Sequence, residues 1–281
     1  MKRSFLSIGR LFISLFFVLP LFIEPIFAIS VIPAPTILGW NIKDSPTDSY
    51  SSPRPETELT CNSYTNINSA SSHWTDVSGG DEHIKYQRQY RYNLGSEWTG
   101  WSGNEIYSEP YTNFRVFGSS TGNRGIYDTK IRAFYDTDGD NILDEGEPYS
   151  EWSSGCPITF DNTPPTKPST IGFSDPVMSC GAQTNIGKVT VDWSDSTDNY
   201  ALAGYDYFID YPLVGGGRST WSQFFTVSQY RGTLNQGLHS IKVRARDKAG
   251  NVSEWTDLCD ITYDSIPPVV PIGIYYKDTD K

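Results

Sequence analysis

The chain has 281 residues, 33 acidic and 22 basic, and a net charge of −11. That balance leaves no basic stripe to neutralise phosphates, so nucleic acid is excluded as an expected partner. The length allows about 250 residues beyond an apolar leader, enough for two domains of ordinary size.

Residues 1–28 read as a secretory signal peptide. Lys2 and Arg3 give a positive start, an apolar run extends from Leu11 to Ile23, and Ala28 closes the segment with Ile26 at the minus-three position. Pro20, Glu24 and Pro25 cut the run below the roughly 20 apolar residues of a spanning helix. No transmembrane helix is expected after cleavage. The mature chain is expected to be secreted or extracellular, with surface attachment through further C-terminal sequence as a variant of that reading.

One paragraph of sequence occurs twice. Ser150-Glu-Trp-Ser-Ser-Gly-Cys156-Pro-Ile-Thr-Phe160-Asp-Asn-Thr-Pro164-Pro165 returns as Ser253-Glu-Trp-Thr-Asp-Leu-Cys259-Asp-Ile-Thr-Tyr263-Asp-Ser-Ile-Pro267-Pro268. Upstream, Cys61 stands thirteen residues before Trp74, and Cys180 thirteen before Trp193. The chain is therefore read as a tandem array: module 1 at 31–163, module 2 at 164–266, and the start of a truncated third module at 267–281.

Module 1 has strand candidates at His83–Tyr92 and Ile126–Phe134. Module 2 has Val189–Trp193, Gly204–Asp210, a stretch with Phe224, Phe225 and Val227, Leu238–Arg246 and Leu258–Tyr263. Gly215–Gly217 and Asp247–Asn251 mark turns. In Leu238–Arg246, Ile241, Val243 and Ala245 share one face, with basic residues between them. About seven short strands per module, without an amphipathic helix, predict an all-β fold of tandem β-sandwiches.

Four cysteines in an exported chain point to disulfides, and four allow three pairings. The repeat selects one: each module holds an early and a late cysteine, giving Cys61–Cys156 and Cys180–Cys259. Each bridge closes a loop of roughly 80–100 residues, worth roughly 4–5 kcal/mol in the chain-entropy model.

The frame Val-Thr-Val-Asp-Trp193, Gly-Tyr-Asp-Tyr207 and Ile-Lys-Val-Arg-Ala-Arg-Asp-Lys-Ala-Gly-Asn251 resembles bacterial fibronectin type III and immunoglobulin-like repeats. The resemblance covers about residues 31–268 and implies tandem immunoglobulin-like sandwiches. The cysteines depart from the inter-sheet bridge of antibody domains: the later one follows the Ala-Gly-Asn hairpin, so it is expected on the last strand, as a first-to-last strand staple. Such families serve as surface spacers, adhesins or accessory domains of secreted enzymes.

Asp136-Thr-Asp138-Gly-Asp140-Asn-Ile142-Leu-Asp144-Glu-Gly-Glu147 replaces the short module 2 hairpin. Counted from Asp136, carboxylates fall at positions 1, 3, 5, 9 and 12, the spacing of an EF-hand calcium loop. Ile142 offers a carbonyl at position 7, and Glu147 can bind through both oxygens. Asn141 stands where glycine is usual, a position asparagine tolerates. Pro148 argues against an exiting helix, so the expectation is a Ca²⁺ loop set in a β-hairpin. Its expected role is structural, near the junction between modules, with an affinity on the order of 10⁻⁴–10⁻³ M.

The chain has 8 Trp, 18 Tyr and 14 Phe. Trp74 and Trp193 are expected in the cores, and Trp152 and Trp255 under the last hairpin. Trp98, Trp101 and Trp221 are expected as partly buried loop packing, with a sugar-stacking platform as the rival. Gly118-Ser-Ser120-Thr-Gly122 fits a nucleophile elbow by letter, but no helix follows. His73, His83 and His239 have no metal spacing and are expected as surface or partly buried side chains. Asn251-Val-Ser253 is a glycosylation sequon in a turn.

The reading is a non-enzymatic spacer or adhesion module. Its partner would be an unidentified surface protein or polysaccharide. The rival is a carbohydrate-binding accessory region of a longer secreted hydrolase.

Overall fold

The computed structural model describes residues 32–42, 57–95, 97–111, 115–116, 124–271 and 273. The expected signal peptide 1–28, the segment around Ser120, and residues 274–281 lie outside them. Residues 267–271 form no strand.

The described residues hold eighteen strands, no helix and four sheets. In the first module, β1 (Ile37–Ile42), β2 (Thr57–Leu59), β4 (Ser69–Trp74) and β7 (Arg115–Val116) pair in the order β2-β1-β4-β7. Facing them, β3 (Ser63–Thr65), β5 (Ile84–Asn93), β6 (Ser102–Tyr107), β8 (Gly125–Tyr135) and β9 (Ile158–Phe160) pair as β3-β9-β8-β5-β6. In the second, β10 (Ile171–Asp175), β11 (Val177–Met178), β13 (Lys188–Trp193) and β16 (Gln229–Thr233) form β11-β10-β13-β16. Their partner sheet joins β12 (Ala182–Thr184), β14 (Leu202–Pro212), β15 (Arg218–Phe225), β17 (Gly237–Asp247) and β18 (Cys259–Tyr263) as β12-β18-β17-β14-β15. The two orders match strand for strand, so the fold is a tandem of β-sandwiches.

Each sandwich has its own core. Trp74 and Trp193 are 2% and 3% exposed. Each meets a tyrosine edge-on: Tyr86 at 5.5 Å and Tyr205 at 5.6 Å. Both tyrosines follow their tryptophan by twelve residues. Their hydroxyls accept the N–H of Val77 and Ser196, three residues beyond each tryptophan. Burial, and then the bond to Asp76, push the Tyr86 hydroxyl up to about 12.

β8 and β17 form the spine of each module. Along β17, Ile241, Val243 and Ala245 face inward while Lys242, Arg244 and Arg246 are half-exposed. β8 does the same with Ile131 and Ala133 against Lys130 and Arg132. The segment after the turn then runs back beside the spine with few ladder pairs, and side-chain hydroxyls take over. Ser253 Oγ accepts the Ala245 N–H (2.9 Å) and Thr256 Oγ1 the Val243 N–H (3.0 Å). In the first module Ser150 Oγ accepts from Ala133 (2.9 Å) and Ser153 Oγ from Ile131 (3.0 Å). Buried N–H groups demand acceptors, and this requirement explains why the Ser-Glu-Trp-Ser/Thr paragraph is written twice.

The structure contains both disulfides, Cys61–Cys156 and Cys180–Cys259, each with Cα atoms 4.8 Å apart. The staple expected between first and last strands is different in detail. Cys61 and Cys180 lie in the short segments where the chain leaves one sheet for the other, just before β3 and β12. β3 pairs parallel with β9, and β12 with β18. Each bridge therefore clamps the sheet-switching segment to the last strand. This switch is also why nine strands per module replace the expected seven. β16 has no clear sequence signal because only alternate residues of it are even half-buried. Val227 lies in the bend before it.

Replacing Ser253 by alanine leaves the Ala245 N–H buried without its acceptor, at an expected cost of about 1–3 kcal/mol in urea unfolding. Ser150→Ala is expected to cost the first module a similar amount. Glu254→Ala, at an exposed position between these groups, is expected within about 0.5 kcal/mol of the parent.

A candidate metal centre at one pole of the first module

The loop Asp136–Glu147 begins where β8 ends. Its base is tied: Tyr135 N–H donates to the Pro148 carbonyl (2.9 Å) and Asp136 N–H to the His83 carbonyl (2.8 Å). Phe134 bridges Tyr149, so a hairpin flanks the loop rather than helices.

Inside the loop, carboxylates accept from backbone N–H groups two to five residues ahead. Asp136, 1% exposed, accepts from Gly139 (2.8 Å) and Asn141 (3.1 Å). Asp138 accepts from Asp140 (3.2 Å) and Asp140 from Ile142 (2.7 Å). Glu147 closes the ring, taking the Thr137 N–H and hydroxyl on Oε1 and the Asp144 N–H on Oε2. Asn141 has φ +60°, the left-handed conformation that the missing glycine requires.

Five carboxylates converge as two overlapping triples. Asp136, Asp138 and Glu147 each bring one oxygen within 4.8 Å of the others, as do Asp138, Asp140 and Asp144. Burial, and then repulsion from Asp140, Asp138, Glu147 and Asp136, push the Asp144 carboxyl up. Hydrogen bonds from Thr137 and Asp144 hold Glu147 below the usual carboxylate range. Ile142 keeps its side chain exposed, so only its carbonyl is available to an ion. The donor set is all hard oxygen, which fits calcium better than a thiophilic metal.

The loop does not lie near the junction between modules, as expected from its place in the chain. Gly125, at the start of β8, pairs with Phe160 beside the linker. β8 then runs eleven residues away from it, about 35 Å at strand rise. The junction is met instead by the corresponding turn of the second module, Asp247–Asn251.

Three tryptophans of the first module, Trp98, Trp101 and Trp152, lie against cations. The Arg91 guanidinium lies 4.4 Å from both the Trp98 and Trp101 rings. The Lys130 ammonium lies between Trp101 (4.7 Å) and Trp152 (4.5 Å), and Arg132 between Trp152 (4.6 Å) and Tyr149 (4.7 Å). Trp255 is held likewise by Lys242 and Arg244. Trp152 and Trp255 thus sit on the outer sheet face rather than under a hairpin. Trp221 packs on Tyr207 and Tyr230. Cations cover part of Trp101 and Trp152, while Trp98 meets a single guanidinium and stays 39% exposed.

The histidines have separate partners. His73 meets Glu58, and His83 meets Asp81 while stacking on Tyr135. His239 is buried, contrary to expectation. Its Nδ1–H donates to the Gly237 carbonyl and its Nε2 accepts the Asn235 N–H. Burial pulls its imidazole down. The sequon asparagine donates its Nδ2 to Asp161 and Asp247.

Sequence reasoning missed a further convergence, Asp161, Asp198 and Asp247. They are separated by 37 and 49 residues in the chain. One signal was available: Asp161 and Asp264 hold matched positions in the repeat.

No family model matches the chain. A stretch of 97 residues is 35% identical to exoglucanase A of Cellulomonas fimi, covering 32% of this chain and 10% of that protein. The chain thus spans about a tenth of that curated relative's length. Among solved structures, the fibronectin(III)-like modules of Clostridium thermocellum CbhA align at TM-score 0.37 and 17% identity, over 82% of this chain and 93% of that one. The chicken CNTN1 FN1–FN3 domains align at TM-score 0.43 and 13% identity, over 75% and 70%.

Lys130→Ala removes a cation shared by two indoles. Iodide quenching of tryptophan fluorescence is expected to rise in this variant, with the melting temperature nearly unchanged. Unaltered quenching would show that the stack does not shield these rings.

Proposed function

We propose that the chain is a non-enzymatic exported spacer, two sandwiches in series, with calcium held structurally in the Asp136–Glu147 loop. The supporting observation is what the side chains are used for. The outer-face aromatics and bases pack on one another, and the modules are joined by hydrogen bonds. Asn251 Nδ2 donates to the Asp161 carbonyl (2.9 Å), Asn199 Nδ2 to Asp161 Oδ1 (3.2 Å), and Asn66 Nδ2 to Asn251 Oδ1 (3.3 Å). Two disulfides suit an extracellular setting. In this reading the loops carry adhesion or interaction with a surface protein or polysaccharide.

The second reading, an accessory region of a longer secreted hydrolase, is favoured by the 97-residue match to exoglucanase A. Both readings make the chain non-catalytic. Co-sedimentation with insoluble glucan separates them: retention that Trp98→Ala weakens supports the accessory role, and no retention supports the spacer.

Calcium at 5 mM is expected to stabilise the first module by about 1–2 kcal/mol, given extracellular-type affinity. Scanning calorimetry should show the shift. Asp136→Asn combined with Glu147→Gln should reduce it. A shift as large as the parent's after both substitutions would remove the loop as its source.

A further inference from the structure

Three carboxylates meet where the modules join. Asp161 follows β9, Asp198 lies between β13 and β14, and Asp247 ends β17. One oxygen from each lies within 4.8 Å of the other two. The first belongs to one sandwich and the other two to the next.

Asp161 and Asp247 are 1% and 2% exposed. Asp161 Oδ1 accepts from the Thr163 N–H and Asn199 Nδ2. The Asp247 oxygens accept the Asn251 N–H and Nδ2, both at 2.7 Å. Asp198 Oδ2 accepts from Tyr200 and Ala201. Its Oδ1 is buried and meets no donor. Lys248, beside Asp247, places its ammonium over the Tyr64 ring at 5.5 Å rather than on these carboxylates.

Buried like charges need a counter-charge or a proton. A shared proton joins two carboxylates, not three, and leaves like charges facing one another. Burial pushes the Asp247 carboxyl up, Asn251 opposes this, and the charges of Asp161 and Asp198 add to it. All-oxygen donors with amide neighbours suit a hard divalent cation.

We propose that Asp161, Asp198 and Asp247 bind a calcium ion that fastens the second module to the first. This site is independent of the hairpin loop, which lies at the other end of β8. The arrangement is written to repeat: Asp264 follows the last strand of module 2 as Asp161 follows that of module 1. The main-chain N–H of each is bonded to the matched Thr184 and Thr65 carbonyls.

Isothermal titration of the exported chain with calcium tests this directly. Two ions are expected for the parent, and one for Asp136→Asn/Glu147→Gln. One is also expected for Asp198→Asn/Asp247→Asn. Thermal melting in EDTA guards against misfolding: relief of repulsion should leave Asp198→Asn/Asp247→Asn at least as stable as the parent, while calcium should stabilise it less. Small-angle scattering should show calcium narrowing the spread of inter-module arrangements in the parent but not in this variant. A parent that binds one ion, lost with the hairpin substitutions, overturns the junction site and spares the loop. One ion lost only with the junction substitutions does the reverse. Equal calcium responses from parent and junction variant would also overturn the proposal.

Discussion

The fold depends on one strand in each sandwich, and on the need to satisfy that strand on every side. β8 and β17 face the core with Ile131 and Ala133, or Val243 and Ala245, which are all but fully buried. Their outer faces carry bases that lie against indole rings. One edge is laddered to β5 or β14. The other edge is met, over its second half, by serine and threonine hydroxyls. Both core packing and buried N–H satisfaction run through the same few residues. A large loss follows from any break in either.

The same strand sets where acidic groups go. A strand has two ends a fixed rise apart, so the turn that follows it cannot also lie at its start. In module 1 that turn is the twelve-residue acidic loop, remote from the linker. In module 2 it is the short Asp247–Asn251 turn, placed against the end of β9. One topology, copied twice, thus presents equivalent turns to different surroundings.

Much of this is legible in the chain itself. The alternation in Leu238–Arg246 marks a half-buried strand, and the duplicated cysteine spacing singles out one pairing. The carboxylate spacing from Asp136 to Glu147 describes a curled loop because all its ligands are local. What escapes a linear reading is non-local or irregular. The acidic loop's neighbours in sequence lead to the linker and suggest a place at the junction, yet β8 carries it away. Trp152 resembles hairpin packing, since nothing local shows that Lys130 and Arg132 flank it from the preceding strand. His239 resembles a surface group, although its ring is bonded at both nitrogens to backbone within four residues. Asp161, Asp198 and Asp247 are scattered in the chain, so only the closed fold brings them together.

The two acidic clusters differ in what a cation would do for each. In the hairpin, the carboxylates already accept from the loop's own N–H groups, so an ion tightens a ring that is shaped by local bonds. At the junction, the charges come from separate modules, and their mutual repulsion acts directly against docking. Asn66, Asn199 and Asn251 counter it with neutral amide bonds, each modest in net worth at about 1 kcal/mol. A divalent ion between the three carboxylates turns that repulsion into attraction. With the proposed ion in place, the contact between modules would follow the calcium concentration around the protein, while each sandwich stays folded on its own core and disulfide.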